Sequence, residues 1–240
     1  MRTIGLIGGM SFESSAVYYR LINEMVRDHL GGIASAELLM HSVNFAEIVA
    51  LQKAGDWKGA AHRLATAGQG LCNAGADCLL ICTNTMHLVA DDVASACPAP
   101  LINIIDETAK VMAAAGRRRP LLLATRYTME HGFYTDRMRA MNLGLEPMVP
   151  DEADRATTHS IIFDELCAGK VVDNSRDRLI AIIEKAKAAG ADSIILGCTE
   201  ICLILDPNHL PLPGFDSTTI HARAAVDFAL GNLHLSAAAE

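Results

Sequence analysis

No apolar run in the chain approaches the ~18 residues that a membrane-spanning helix needs; Ser193–Cys198 and Cys78–Cys82 are strand-sized. The opening Met1-Arg2-Thr3-Ile4-Gly5-Leu6-Ile7-Gly8-Gly9-Met10 is too short and glycine-broken for a signal-peptide core, and it lacks a small-residue cleavage site. It reads as a first strand. A basic surplus is also missing: 20 Lys and Arg stand against 28 Asp and Glu, a formal charge of −8. That balance argues against a general nucleic-acid binder or a polybasic membrane-surface protein. The one basic run, Arg117-Arg118-Arg119, follows Ala115-Gly116 and reads as solvated charge at a helix end. Gly5, Gly8 and Gly9 do not form G-x-G-x-x-G, and His41-Ser42-Val43-Asn44 supplies no ribose-binding acid, which disfavours nicotinamide binding. There is no Walker sequence, no C-x-x-C and no G-x-S-x-G elbow. The nine histidines form no metal-ligand cluster, so no metal site is expected.

What is present is a globular composition. Of 240 residues, 51% are hydrophobic and 20% charged, which excludes a mainly disordered chain. The length allows one large or two compact domains, each with its own core. Seven cysteines, an odd number, sit at positions 72, 78, 82, 97, 167, 198 and 202. Without a secretion signal this favours reduced thiols in a cytoplasmic protein, and asks which thiol does chemistry.

Short β-rich runs alternate with helical patterns. Strands are expected at Ile4–Ile7, Glu37–His41, Cys78–Cys82, Leu101–Ile105, Leu121–Ala124, Leu145–Val149 and Ser193–Gly197. Ser11 can cap a helix carrying Val17, Tyr18, Leu21, Ile22 and Met25, ended by Gly31-Gly32. Asn44 with Glu47 resembles a capping box, and Asp56 can cap the next helix. This alternation implies right-handed crossovers and parallel sheets, hence an α/β fold.

The chain also repeats itself. Ala74-Gly75-Ala76-Asp77 precedes the strand at Cys78, and Ala189-Gly190-Ala191-Asp192 precedes the strand at Ser193, an offset of 115. The strand ends near Ile7 and Leu123 lie at an offset of about 116. Two similar domains are therefore expected, 1–98 plus 211–240 and 99–210, with Pro98 and Pro100, then Pro207, Pro211 and Pro213, at the crossings. The last helix, Ser217–Leu230, should pack back onto the first half. Ligands of parallel sheets bind beyond the carboxyl ends of the strands, so two such domains facing each other would share one central cleft.

Two clusters sit at strand ends: Cys82-Thr83-Asn84-Thr85-Met86-His87 and Gly197-Cys198-Thr199-Glu200. Each is expected to open a helix, where backbone N–H groups and the dipole favour a carboxylate and should lower a thiol's pKa below ~8.5. Cys198 fits that environment; it also fits a small buried strand-end residue. By the 115 offset Thr83, not Cys82, corresponds to Cys198. Neighbours on a strand point to opposite faces, so Cys82 reads as packing. His87 could orient the site or cap a helix. Cys198 and Cys202, at i, i+4 spacing, read as core packing rather than a zinc pair.

These residues resemble a known family. Ile4-Gly5-Leu6-Ile7-Gly8-Gly9-Met10-Ser11, His41-Ser42-Val43-Asn44-Phe45, Cys82-Thr83-Asn84-Thr85-Met86-His87 and Gly197-Cys198-Thr199-Glu200 resemble the cofactor-independent aspartate/glutamate racemases over essentially the whole chain. The resemblance implies two Rossmann-like domains around a cleft, a homodimer, and α-proton exchange on a free amino acid without pyridoxal phosphate. The family uses two thiols on opposite faces of the substrate α-carbon. Cys198 matches one; Thr83 stands where the other is expected, as in a Cys/Thr subgroup associated with acidic amino acids and direction-dependent turnover. Cys198 would abstract the proton and Thr83 return one from the other side. The resemblance further assigns substrate binding to Met10, Asn84, Thr85, Thr125, Thr128, Thr199 and Glu200. Gln52 and Cys167 fall where aspartate-specific relatives carry basic residues, which leaves glutamate or a broader polar set open. Competing readings are an isomerase or decarboxylase of a related carboxylic acid, and a non-catalytic amino-acid-binding protein.

Overall fold

A computed structural model describes residues 1–231. Ten α-helices and six strands alternate along them: β1 (Ile4–Gly8), α1 (Phe12–Leu30), β2 (Leu38–Ser42), α2 (Phe45–Ala54), α3 (Trp57–Asn73), β3 (Cys78–Ile81), α4 (Ala90–Ala96), α5 (Ile104–Ala114), β4 (Pro120–Ala124), α6 (Arg126–Glu130), α7 (Phe133–Ala140), α8 (Glu152–Ser160), α9 (Asp173–Ala188), β5 (Ser193–Gly197), β6 (Gly214–Asp216) and α10 (Ser217–Ala229). The fold is α/β, with two three-stranded parallel sheets ordered β2-β1-β3 and β4-β5-β6. The chain separates into two compact units, Met1–Asn103 together with the chain from His221, and Ile104–Ile220. Residues 232–240, placed by the sequence in the first domain, lie outside the described residues.

Local signals set the helix starts. Ser11 accepts from the Ser14 amide, Asn44 from the Ala46 amide and Asp56 from the Gly59 amide, each satisfying an orphan N–H of the helix it caps. Gly9 has φ +90, and a Cβ there would lie 2.2 Å from the Val43 carbonyl oxygen, so only glycine lets the turn after β1 pass beside the end of β2.

Alternation along the strands builds each core. In the first unit Ile4, Leu6, Cys78, Leu80 and Cys82 face α1 and α10, while Ile7, Leu79 and Ile81 face α2 and α3. In the second, Leu122, Ala124 and Ile195 face α5 and α7, and Leu121, Leu123, Ile194 and Leu196 face α9. Each fully buried Leu or Ile contributes about 1.5–3 kcal/mol. The last helix packs Ala225, Val226 and Phe228 against Ile4, Leu6 and Tyr18, as the sequence led one to expect.

The repeat has a structural counterpart. Asp77 Oδ2 accepts from the Thr3 amide at 2.6 Å, and Asp192 Oδ2 from the Arg118 amide at 2.6 Å. Gly75 and Gly190, just before, have φ +100 and +94. Two expected strands are corrected. Leu101–Ile105 reduces to one bridge, Leu101 to Leu79, between Pro100 and the start of α5; Leu145–Val149 reduces to one bridge, Met148 to Leu121, between Pro147 and Pro150. Proline lacks the N–H needed to extend either ladder. β6, which the sequence did not reveal, follows Pro213 and pairs with β5.

Candidate active site

In the first unit the strand registers align Gly8 with Ser42 and Ile7 with Ile81, so the segments leaving β1 and β3 emerge side by side. Met10 is buried with Ile7, Ile81 and Met86. Thr83 follows β3, and Asn84 and Thr85 are buried at the start of a short 3₁₀ stretch, Thr85–Val89. Gln52, on α2, donates from Nε2 to the Met86 sulfur at 3.1 Å, which ties it to this segment. His87 reaches back: its Nδ1 lies 2.8 Å from the Thr83 carbonyl oxygen, so that nitrogen carries the proton and donates. Cys82 is fully buried with Ile4, Leu6 and Tyr18, and burial pushes its thiol pKa far up.

In the second unit Ala124 pairs with Gly197, which places Thr125 and Cys198 at the same level beyond neighbouring strands. Thr125 and Thr128 hydroxyls are 3.1 Å apart. A Cβ on Gly197 would approach the Ala124 Cβ at 3.0 Å, which accounts for glycine where the first unit has Cys82. The Cys198 thiol donates to Glu200 Oε2 at 2.9 Å, and the Thr199 hydroxyl donates to the same oxygen at 2.6 Å. Cys198 is 9% exposed and Glu200 8%. Cys167 is exposed as a residue, yet its thiol is partly desolvated and senses Glu200, which together push its pKa up to about 12.

The expected acidification of Cys198 is corrected. The segment it opens is a five-residue 3₁₀ stretch, Thr199–Leu203, not a long helix with a developed dipole. Burial, and then the charge and hydrogen-bond acceptance of Glu200, hold the thiol pKa well above its ordinary value. The resting group is a protonated thiol aimed at a carboxylate. The sequence showed Glu200 as a strand-end acid but not its direction, which follows from the tight turn after β5.

A family model described as Asp/Glu/Hydantoin racemase matches residues 7–225. The chain belongs to that family. Among solved structures, a "putative Asp/Glu Racemase" from Yersinia pestis is 47% identical, with a TM-score of 0.90 over 96% of this chain and 100% of that one. An aspartate racemase homologue from Pyrococcus horikoshii is 34% identical, with a TM-score of 0.84 over 96% and 100%. An uncharacterised protein of Pectobacterium carotovorum is 33% identical over 48% of this chain and 75% of its own length. Within this racemase-family chain, the candidate residues named from the sequence fall into two groups. Met10, Gln52, Thr83, Asn84 and Thr85 belong to the first unit, and Thr125, Thr128, Cys167, Cys198, Thr199 and Glu200 to the second. No helix among the described residues is long and apolar enough to cross a membrane, and no group of three or more His, Cys, Asp or Glu side chains there could hold a metal ion.

Proposed function

We propose that the protein is a pyridoxal-phosphate-independent amino-acid racemase acting on aspartate, glutamate or both. The observation that carries this reading is the Cys198 thiol held 2.9 Å from the Glu200 carboxylate at the end of β5, in a chain of the racemase family. When substrate binds, Glu200 takes the thiol proton and the resulting thiolate removes the α-proton. The carbanion is then protonated on its opposite face by the Thr83 hydroxyl; solvent refills Thr83 and Glu200 releases its proton to solvent, which restores the thiol–carboxylate pair. Inversion requires acid and base on opposed faces of the α-carbon. Asn84, Thr85 and Thr199 supply donors and acceptors for the α-carboxylate and ammonium, with Thr125, Thr128, Gln52 and Cys167 around the side chain.

A threonine hydroxyl is a far weaker acid than a thiol, so the two directions differ. For a racemase the equilibrium constant is one, and kcat/KM is equal in both directions; the inequality lies in kcat and KM separately. The test is incubation of each enantiomer of aspartate and glutamate in D₂O with chiral product analysis. Deuterium at Cα and the antipode are expected, and both should disappear in Cys198→Ala. Tight binding of an amino acid with no exchange at high enzyme concentration would make this an amino-acid-binding protein instead.

A further inference from the structure

Thr83 and Cys198 occupy matching places in the repeat, but what lies behind them differs. In the first unit a buried network backs Thr83. His221 Nε2 lies 2.8 Å from the Ile102 carbonyl oxygen, and its Nδ1 2.8 Å from the Tyr18 hydroxyl. A carbonyl only accepts, so Nε2 carries the proton, Nδ1 accepts, and Tyr18 donates. The neutral ring thus fixed meets the His87 ring edge-to-face at 5.6 Å, and His87 Nδ1 donates to the Thr83 carbonyl. Tyr18 and His221 are both fully buried and His87 is 5% exposed.

The second unit repeats this layout with other chemistry. Tyr134, 116 residues after Tyr18, is again fully buried. Thr108, the fifth residue of α5, stands where His221, the fifth residue of α10, stands in the first unit, and it lies beside the Tyr134 hydroxyl. Cys202 takes the place of His87 at the 115 offset. Neither Cys202 nor Thr108 has the ring nitrogen that clamps the strand-end carbonyl. The two buried histidines therefore stand behind the hydroxyl and not behind the thiol.

We propose that His87 is a positioning residue for Thr83, its ring held in place by the Tyr18–His221 pair, and that this clamp makes a hydroxyl serviceable where the repeat would place a thiol. The proposal rests on the racemase reading. A thiol proton is easily moved, and a loosely held sulfur still reacts; a hydroxyl must be held in line with the carbanion lobe to donate, so its backbone is fixed.

The experiment compares wild type, His87→Leu, His87→Asn, Tyr18→Phe and Cys202→Ser, following antipode formation and deuterium wash-in separately. In His87→Leu, kcat for inversion should fall at least tenfold in both directions with KM within twofold. Wash-in at Cα of the enantiomer that Cys198 deprotonates should stay within twofold. His87→Asn, whose amide nitrogen can reach the same carbonyl, should recover most of the loss. Tyr18→Phe should show a smaller loss of the same selectivity, and Cys202→Ser none. Parallel loss of inversion and wash-in, unaltered inversion in His87→Leu, or no recovery in His87→Asn would each overturn the proposal while leaving the racemase reading intact. A wild-type protein inert toward every amino acid would remove the reading and the proposal together.

Discussion

The Cys198 thiol and the Glu200 carboxylate are hydrogen-bonded at 2.9 Å, two residues apart on one buried turn. In the proposed mechanism the carboxylate that stabilises the protonated thiol also receives its proton, so a single side chain would set ground-state reactivity against turnover.

Glu200→Gln separates the two. Removing the negative charge takes away the largest influence, after burial, that raises the Cys198 pKa, so alkylation of Cys198 by iodoacetamide, followed by site-resolved mass spectrometry, should begin at lower pH than in wild type. Racemisation should nevertheless fall by about 10²-fold, the scale of a lost general base. A variant that is both more reactive and faster would show that Glu200 only restrains the thiol.

Thr83→Cys restores two thiols. The kcat values of the two directions should converge. Because kcat/KM must stay equal in both directions, the two KM values should converge by the same factor. Full progress curves from each enantiomer measure this. If the kcat ratio does not move, Thr83 does not donate the second proton.

The duplicated turn predicts paired stability effects. Asp77 and Asp192 each accept a backbone N–H at the start of the neighbouring strand at 2.6 Å, so Asp77→Ala and Asp192→Ala should each destabilise by about 1–2 kcal/mol in urea unfolding. Burial works against Asp192, yet hydrogen bonds from Ser193 and the Arg118 and Arg119 amides, with the Arg117 charge, hold its pKa below the usual carboxylate range. Its contribution is present above the unfolded pKa and is lost as pH falls through the folded one. The Asp192→Ala penalty should thus shrink in acid.

Where local patterns decide, the sequence was a good guide. The caps at Ser11, Asn44 and Asp56 depend on residues within three positions, and the buried runs of β1, β3, β4 and β5 stand out against polar flanks. Leu101 and Met148 look like strand residues because they are apolar, but the prolines beside them leave room for one bridge each. β6 hides after Pro211 and Pro213 because pairing with β5 makes it a strand. That Thr83 and Cys198 each follow a buried strand was legible through the repeat. The ionisation of Cys198 was not, since it depends on burial and on where the Glu200 side chain points. His87 and His221 are far apart in sequence, and only the return of α10 onto the first unit brings their rings together.

That return of α10 carries a pH signature. Burial, and then the nearby His87, depress the His221 pKa to about 3, against about 6.5 in an unfolded chain. Below pH 6.5 the unfolded chain takes up a proton that the native ring refuses. The stability this ring contributes is therefore complete above pH 6.5 and is lost as pH falls toward 3, at about 1.4 kcal/mol per pH unit. His221→Gln keeps a polar side chain but removes the titration. Its stability gap to wild type, measured by urea unfolding, should narrow by about 3 kcal/mol between pH 7 and pH 4. A gap that stays constant over that range would mean that the native ring takes up its proton as readily as the unfolded one, and that the Tyr18 hydroxyl does not hold its Nδ1 lone pair.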